Sequence, residues 1–480
     1  MKVAIIGSGF AGLCMGIKLK EAGIDDFVIF EKADRLGGAW RDNTYPGCAC
    51  DVQSQLYSFS FEQNPNWSRV FSPHNEIWDY MEHCAIKYKV NPHIQYNAAV
   101  TSAEYDEKKA CWFVTVNGDK HEAQFLVTAP GGLSIPSIPN FKGKNTFKGP
   151  AFHSSEWDHD VDLTGKNVAI IGTGASTIQI MPQVAKKAAS VNVFQRTPPW
   201  VMPKPDRAFT SLEKMLFKQL PIIMWFNRQR MYWSFEFRVL GFVINPKMMK
   251  LPQFLAKLYI KKTVKDPETQ KKLTPNYTIG CKRILLATDY YQSYNRDNVH
   301  LLTEGIDTIN PDGITSGDGT KHPADVIVYA TGFKATEYLS NVKITGRKAK
   351  TLQEVWSDCP EAYLGTTVAG FPNLFLFTGP NTGLGHTSML VMIEAQVQYI
   401  MDCLKKMKRK QVKEVEVKKS VQDVFNKKLQ ADIAKSVWQD GGCKSWYQTE
   451  DGRNPTLWPG FTFTFRNKTR RFDHENYEMK

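Results

Sequence analysis

The sequence predicts an α/β protein with two Rossmann-like dinucleotide-binding domains and a helical insertion. Two observations carry this: a strand, glycine turn, helix and strand in order over residues 3–31, and the same order again over residues 167–196. Length is the third. A chain of 480 residues exceeds what one hydrophobic core serves, so two or three domains are expected.

The first unit opens with Val3-Ala4-Ile5-Ile6, a continuous apolar run of the kind a parallel sheet buries on both faces. It enters the turn Gly7-Ser8-Gly9-Phe10-Ala11-Gly12. Gly7 permits the tight turn, Gly9 lets the backbone approach a pyrophosphate, and Gly12 lets helix and strand pack closely. The helix expected over residues 13–22 aims its N-terminus at the phosphates. The strand Phe27-Val28-Ile29-Phe30 then ends on Glu31, with Lys32 next, and Glu31 suits a ribose diol.

The second unit repeats this with Asn167-Val168-Ala169-Ile170-Ile171 and the turn Gly172-Thr173-Gly174-Ala175-Ser176-Thr177. Thr177 replaces the third glycine, so looser helix packing is expected there. A helix over 178–188, carrying Gln179, and a strand over 191–194 follow. Counting aligns the two units: Glu31 stands 24 residues after Gly7, and Arg196 stands 24 after Gly172. A carboxylate suits the free 2′-hydroxyl of FAD and repels a 2′-phosphate. A guanidinium suits the 2′-phosphate of NADPH. FAD first and NADPH second is therefore the expectation, with electrons passing between them.

An FAD domain is expected over 1–145 and 365–480, an NADP domain over 146–205 and 275–364, and a helical subdomain over 206–274. Ile222, Ile223, Met224, Trp225 and Phe226 in that subdomain read as core, with a substrate channel or a membrane-facing patch as alternatives. The net charge of +13 draws on the run Lys405-Lys406-Met407-Lys408-Arg409-Lys410, which reads as a solvated helix end, where cations favour the helix dipole. No nucleic-acid motif accompanies it. No 18-residue apolar stretch and no leader are seen, and peripheral membrane contact stays open. The nine scattered cysteines read as reduced, which points to the cytoplasm, and no metal site is expected.

Longer motifs carry a family resemblance. Residues 147–158, with Phe147, Gly149, His153, Trp157 and Asp158, resemble the signature Phe-x-Gly-x-x-x-His-x-x-x-Trp-(Pro/Asp) of the flavin-dependent Baeyer–Villiger monooxygenases. Gly37-Gly38-Ala39-Trp40 resembles the family's flavin-side loop. Tyr45-Pro46-Gly47-Cys48-Ala49-Cys50-Asp51 resembles the next, with Cys48 a departure. Tyr57 and Val100 match FAD-contacting positions, and Gly379 to His386, with Asn381, resembles the last flavin loop. Ala129-Pro130-Gly131-Gly132 stands where Ala-Thr-Gly is usual; Ala330-Thr331-Gly332-Phe333 matches that pattern. Cys281-Lys282-Arg283 resembles the catalytic arginine segment, and Ser445-Trp446-Tyr447 the mobile loop over NADP.

The resemblance implies that Arg283 is the active-site arginine and Asp51 its orienting carboxylate. Lys282, Arg196 and Thr197 would hold the 2′-phosphate, with Cys50 and Trp446 also on the NADP side. His153 and its motif partners would form a hinge outside the chemistry. The implied activity is NADPH- and O2-dependent insertion of oxygen beside a ketone carbonyl through a C4a-peroxyflavin, giving an ester or lactone, by a monomer or homodimer. Sulfur or nitrogen oxidation by the same flavin, and a flavoprotein without oxygenation, are the alternatives.

Overall fold

The computed structural model describes residues 2–337 and 339–480. Strand β1 (Val3–Ile6), helix α1 (Phe10–Glu21) and strand β2 (Phe27–Phe30) form the first unit as expected. Five parallel strands make its sheet, in the order Leu374–Leu376, Phe125–Thr128, β1, β2, Ile94–Gln95. The second sheet is also five-stranded and parallel: Val299–Leu302, Ser190–Phe194, Asn167–Ile171, Val326–Tyr329, Ala151–His153. In each, the glycine-turn strand is the middle one, where the strand order reverses. Open α/β sheets bind ligands in that crevice.

An antiparallel meander, Val100–Asp106, Cys111–Val116 and Asp119–Ala123, covers the first sheet and shares a core with Ala4, Ile6, Phe30 and Leu126. Lys343–Thr345, expected in the second unit, pairs with Ser102–Glu104 of this meander. Leu339, Val342, Ile344, Leu352 and Trp356 join the same core, so the chain returns to the first unit before residue 365. The opposite face of the first sheet packs with α1 and the long helix Met389–Lys410. That helix ends at Lys408, Arg409 and Lys410, all exposed.

The segment 206–274 holds helices Ser211–Gln219, Pro221–Glu236, Lys250–Thr263 and Pro267–Leu273. The core reading of 222–226 is overturned. Met224, Arg228, Met231 and Phe235 form the inward stripe of Pro221–Glu236, at spacings of three and four. Helical geometry then turns Ile222, Ile223, Trp225 and Phe226 to solvent, and only Met224 of the five is buried.

The reduced-cysteine reading is also corrected: Cys281 and Cys443 form a disulfide across 162 residues, while the other seven are free and buried. Residue 441 must be small for this approach, since a Cβ on Gly441 would lie 2.5 Å from the Cβ of Cys281. Thr278 N also donates to Gly441 O at 2.9 Å. Among the described residues, no helix is long and apolar enough to cross a membrane.

Candidate active site

The two glycine turns are built alike. A Cβ on Gly7 would lie 2.6 Å from the carbonyl oxygen of Ala129, and one on Gly172 would lie 2.3 Å from that of Ala330. Ala129 thus occupies in the first unit the place of Ala330 in the second, despite Pro130. Each turn leaves room in front of its helix. The nearest neighbour of a Cβ on Gly9 would be Gly38 Cα at 3.9 Å, and Gly174 has nothing within 4 Å. Neither following helix has a side-chain cap at its N-terminus, so its first N–H groups are free for phosphate oxygens. Both cradles therefore fit a dinucleotide.

Glu31 is buried at the end of β2, beside the first turn. Its Oε2 accepts from Ser8 N at 2.9 Å and Ser8 Oγ at 2.7 Å, and its Oε1 from Ala33 N and Arg41 Nη1, both at 3.0 Å. Burial raises its pKa, but the bonds from Ser8, Ala33 and Arg41 outweigh this and hold the carboxyl below its usual range. Both carboxylate oxygens thus already accept two hydrogen bonds each from within the chain. Phe10 and Ala11 are buried, Lys32 and Ala39 exposed. Trp40 Nε1 donates to Tyr57 OH at 3.1 Å, and Phe10 meets the Tyr57 ring edge-on at 5.5 Å. Val100 lies apart on the meander. Asn381 donates to Asn454 O and Leu457 O, while its buried Oδ1 lacks a protein partner among the described residues.

At the second turn, Arg196 is exposed and Lys282 half-buried. Burial and then the Arg196 charge push the Lys282 ammonium down. Neither forms an ion pair among the described residues. Two neighbouring cations without an acidic partner suit an anion. Thr173 Oγ1 donates to Thr197 O at 3.0 Å, and Gly174 and Ala175 are exposed. Gln179 instead ties the units together, with Nε2 donating to Ala49 O at 2.9 Å and Oε1 accepting from Tyr45 OH at 3.0 Å.

Between the cradles, Arg283 meets Asp51. Nε donates to Oδ2 and Nη2 to Oδ1, both at 2.8 Å, while Nη1 has no protein acceptor among the described residues. Asp51 sits on a loop fixed by Cys50 N to Ser72 O and His74 N to Cys48 O, both at 3.0 Å. Arg283 is fixed by Leu285 N to Trp200 O at 2.9 Å and by the neighbouring disulfide. The Asp51 charge raises the Arg283 pKa further above its usual value. Cys50 is buried next to the pair, and Trp446 is exposed on the loop that Cys443 anchors.

A family model for pyridine nucleotide-disulphide oxidoreductases matches residues 4–218. A Baeyer–Villiger monooxygenase of Pseudomonas aeruginosa is 48% identical over 480 residues, covering 100% of this chain and 91% of the relative. The chain belongs to the Baeyer–Villiger monooxygenase family. A second relative of that name, from Streptomyces coelicolor, is 42% identical and covers 100% of this chain and 92% of its own. Among solved structures, OTEMO in complex with FAD and NADP superposes with a TM-score of 0.90 at 28% identity, covering 100% of this chain and 99% of that one. Cyclohexanone monooxygenase from Rhodococcus sp. Phi1 bound to NADP+ gives 0.90 at 27%, with the same coverage. The two other readings, sulfur or nitrogen oxidation and a flavoprotein without oxygenation, give way to this family.

In this Baeyer–Villiger monooxygenase the motif of residues 147–158 includes Ala151–His153, the edge strand of the second sheet. Phe147 packs against the apolar cluster that holds Ala169 and Ile171, and Trp157 against the one that holds Val168 and Ile170. A Cβ on Gly149 would lie 2.2 Å from Asp325 O. Two site residues escaped the sequence reading. Tyr447 is buried beside Arg283 with its hydroxyl unpartnered, and burial pushes that hydroxyl up to about 12, so it stays a donor. The Lys204 ammonium is pushed down by burial, while the Asp206 and Asp51 carboxylates act against this. Tyr447 lay inside a recognised motif; Lys204 carries no local signal.

Proposed function

We propose that Arg283, held by Asp51, is the fixed cation of the oxygen-insertion step in this FAD- and NADPH-dependent Baeyer–Villiger monooxygenase. The bidentate pair with Nη1 left free carries the reading. Bound flavin, reduced by NADPH, supplies the activation of O2. The chain's own part is electrostatic. Negative charge grows on the ketone oxygen as oxygen joins the carbonyl carbon. Guanidinium is always protonated and meets that charge through Nη1, while Asp51 fixes Nε and Nη2. A donor already in place needs no reorganisation as the charge develops. Tyr447 adds a second donor and helps exclude water. Arg196, Lys282 and Thr197 hold the 2′-phosphate of NADPH, and Glu31 orients the ribose of FAD. The substrates are a small-molecule ketone and O2, with no nucleic acid; we read the protein as a monomer or homodimer. Seven buried free thiols support a cytoplasmic site, the disulfide standing against it.

Arg283→Ala tests the reading. It keeps FAD absorbance but forms ester at least roughly a hundredfold more slowly, as losing one such donor does, and saturating NADPH does not restore it. Conversion at near wild-type rate removes Arg283 from the reaction. Loss of FAD reassigns it to packing, and rescue by NADPH to coenzyme binding.

A further inference from the structure

Of the 21 large apolar side chains left exposed among the described residues, 15 fall between positions 212 and 258. They follow the chain through Ser211–Gln219, Pro221–Glu236 and Lys250–Thr263. On Lys250–Thr263 the pattern is clearest. Ala256 and Ile260 face the core, and Gln253 accepts from Ile279 N at 3.0 Å. Leu251, Phe254, Leu255 and Leu258 stand at i, i+3, i+4 and i+7 and face solvent; Leu251 is 66% and Phe254 58% exposed. A surface helix normally places polar residues there. Trp225 and Trp233 add two exposed indoles on Pro221–Glu236, about half exposed.

The charge around this apolar surface has one sign. Positions 211–263 contain ten Lys and Arg and two Glu. Both acids are engaged: Glu213 pairs with Arg207 at 2.6 Å, and Glu236 is buried, accepting from Thr462 N at 2.8 Å. Eight of the cations are exposed, and none forms an ion pair among the described residues. Lys250, Lys257 and Lys261 flank the apolar stripe of their helix.

We propose that this helical surface docks on a bilayer containing anionic phospholipid, with the helices lying in the interface plane. Outward leucines and aromatics enter the acyl boundary, indoles sit at headgroup level, and lysines meet lipid phosphates. No span is involved. A second copy of the chain is disfavoured as occupant, because a two-fold contact sets the same cations against themselves. The inference is independent of the Arg283 reading.

The test is cosedimentation of the flavin-loaded enzyme with vesicles of phosphatidylcholine plus phosphatidylglycerol, and of phosphatidylcholine alone. Binding to the anionic vesicles is expected, weakening as salt screens the lysines. The triple variant Leu251→Glu, Phe254→Glu, Leu258→Glu binds them roughly tenfold or more weakly. Lys250→Gln, Lys257→Gln, Lys261→Gln loses the preference for anionic lipid. Ile86→Glu with Val424→Glu, apolar and exposed elsewhere, changes neither. Flavin content and ketone oxidation in vesicle-free buffer stay at wild-type level in all three, which certifies the fold. Absence of binding to anionic vesicles overturns the proposal, as does unchanged binding by the leucine–phenylalanine variant. So does a wild-type dimer that this variant splits in size-exclusion without any vesicle binding, which gives the surface to a second copy.

Discussion

A Cβ on Gly12 would lie 1.9 Å from the carbonyl oxygen of Gly7, far inside any real contact. The second unit meets the same crowding with a larger side chain. Thr177 is fully buried, and its Oγ1 donates to Gly172 O at 2.9 Å. The expected looseness at Thr177 is thus a hydrogen bond to the carbonyl that Gly12 touches in the first unit. Gly12→Ala should leave purified protein without flavin absorbance; normal flavin content would show that the helix shifts freely. Thr177→Val keeps the shape and removes the donor, costing about 1 kcal/mol in urea unfolding. Coenzyme choice is expected to turn on single residues as well. Arg196→Ala should shrink the preference for NADPH over NADH by one to two orders of magnitude, about 1.5–3 kcal/mol for a charged hydrogen bond. Flavin reduction rates at sub-saturating coenzyme measure it, and an unchanged ratio would place the 2′-phosphate elsewhere.

The segment 441–447 is held to the Arg283 segment by the Cys281–Cys443 bond and by Thr278 N to Gly441 O. If the segment closes over NADP as the resemblance implies, coenzyme binding without the bond must order it. Fixing one residue's backbone costs about 1–2 kcal/mol, a factor of roughly 5–30 in an equilibrium. Cys443→Ser should therefore raise KM for NADPH by about that factor, leave flavin content unchanged and speed proteolysis near residue 443. An unchanged KM would make the bond irrelevant to coenzyme binding. This element also marks where the sequence stops being legible. The glycine turns are local patterns, and Glu31 and Arg196 are found by counting. Cys281 and Cys443 lie 162 residues apart, and nothing local pairs them. The apolar run at 222–226 signals helix well enough, but periodicity alone does not say which face meets a core and which meets something outside the chain. The return strand Lys343–Thr345 is too short to announce its partner.

The two units are joined by segments that cross side by side. Ser137 N donates to Gly332 O at 2.9 Å, Lys334 N to Ile135 O at 3.0 Å, and Thr331 Oγ1 to Ser137 O. His153 clamps this crossing. It is fully buried, its Nε2 lies 3.0 Å from Gly332 O, and its Nδ1 accepts from Ser155 N at 3.2 Å. That pattern needs a neutral ring with the proton on Nε2. Burial accordingly holds the imidazole pKa below its ordinary 6.5. The unfolded chain therefore binds this proton more readily than the folded one. Stability from the neutral ring is fully present above pH 6.5 and is lost as pH falls toward the folded pKa. One such group contributes at most about 1.4 kcal/mol per pH unit. His153→Gln keeps an N–H for Gly332 O and removes the titration. Its melting temperature should fall less steeply than that of the wild type between about pH 7 and pH 5. His74, whose pKa is also lowered by burial, is present in both proteins and cancels in the difference. Coincident slopes would mean that the crossing is held without a neutral His153. A shallower slope together with wild-type ketone oxidation at pH 7.5 would place the signature histidine in the joint between the two units and outside the chemistry.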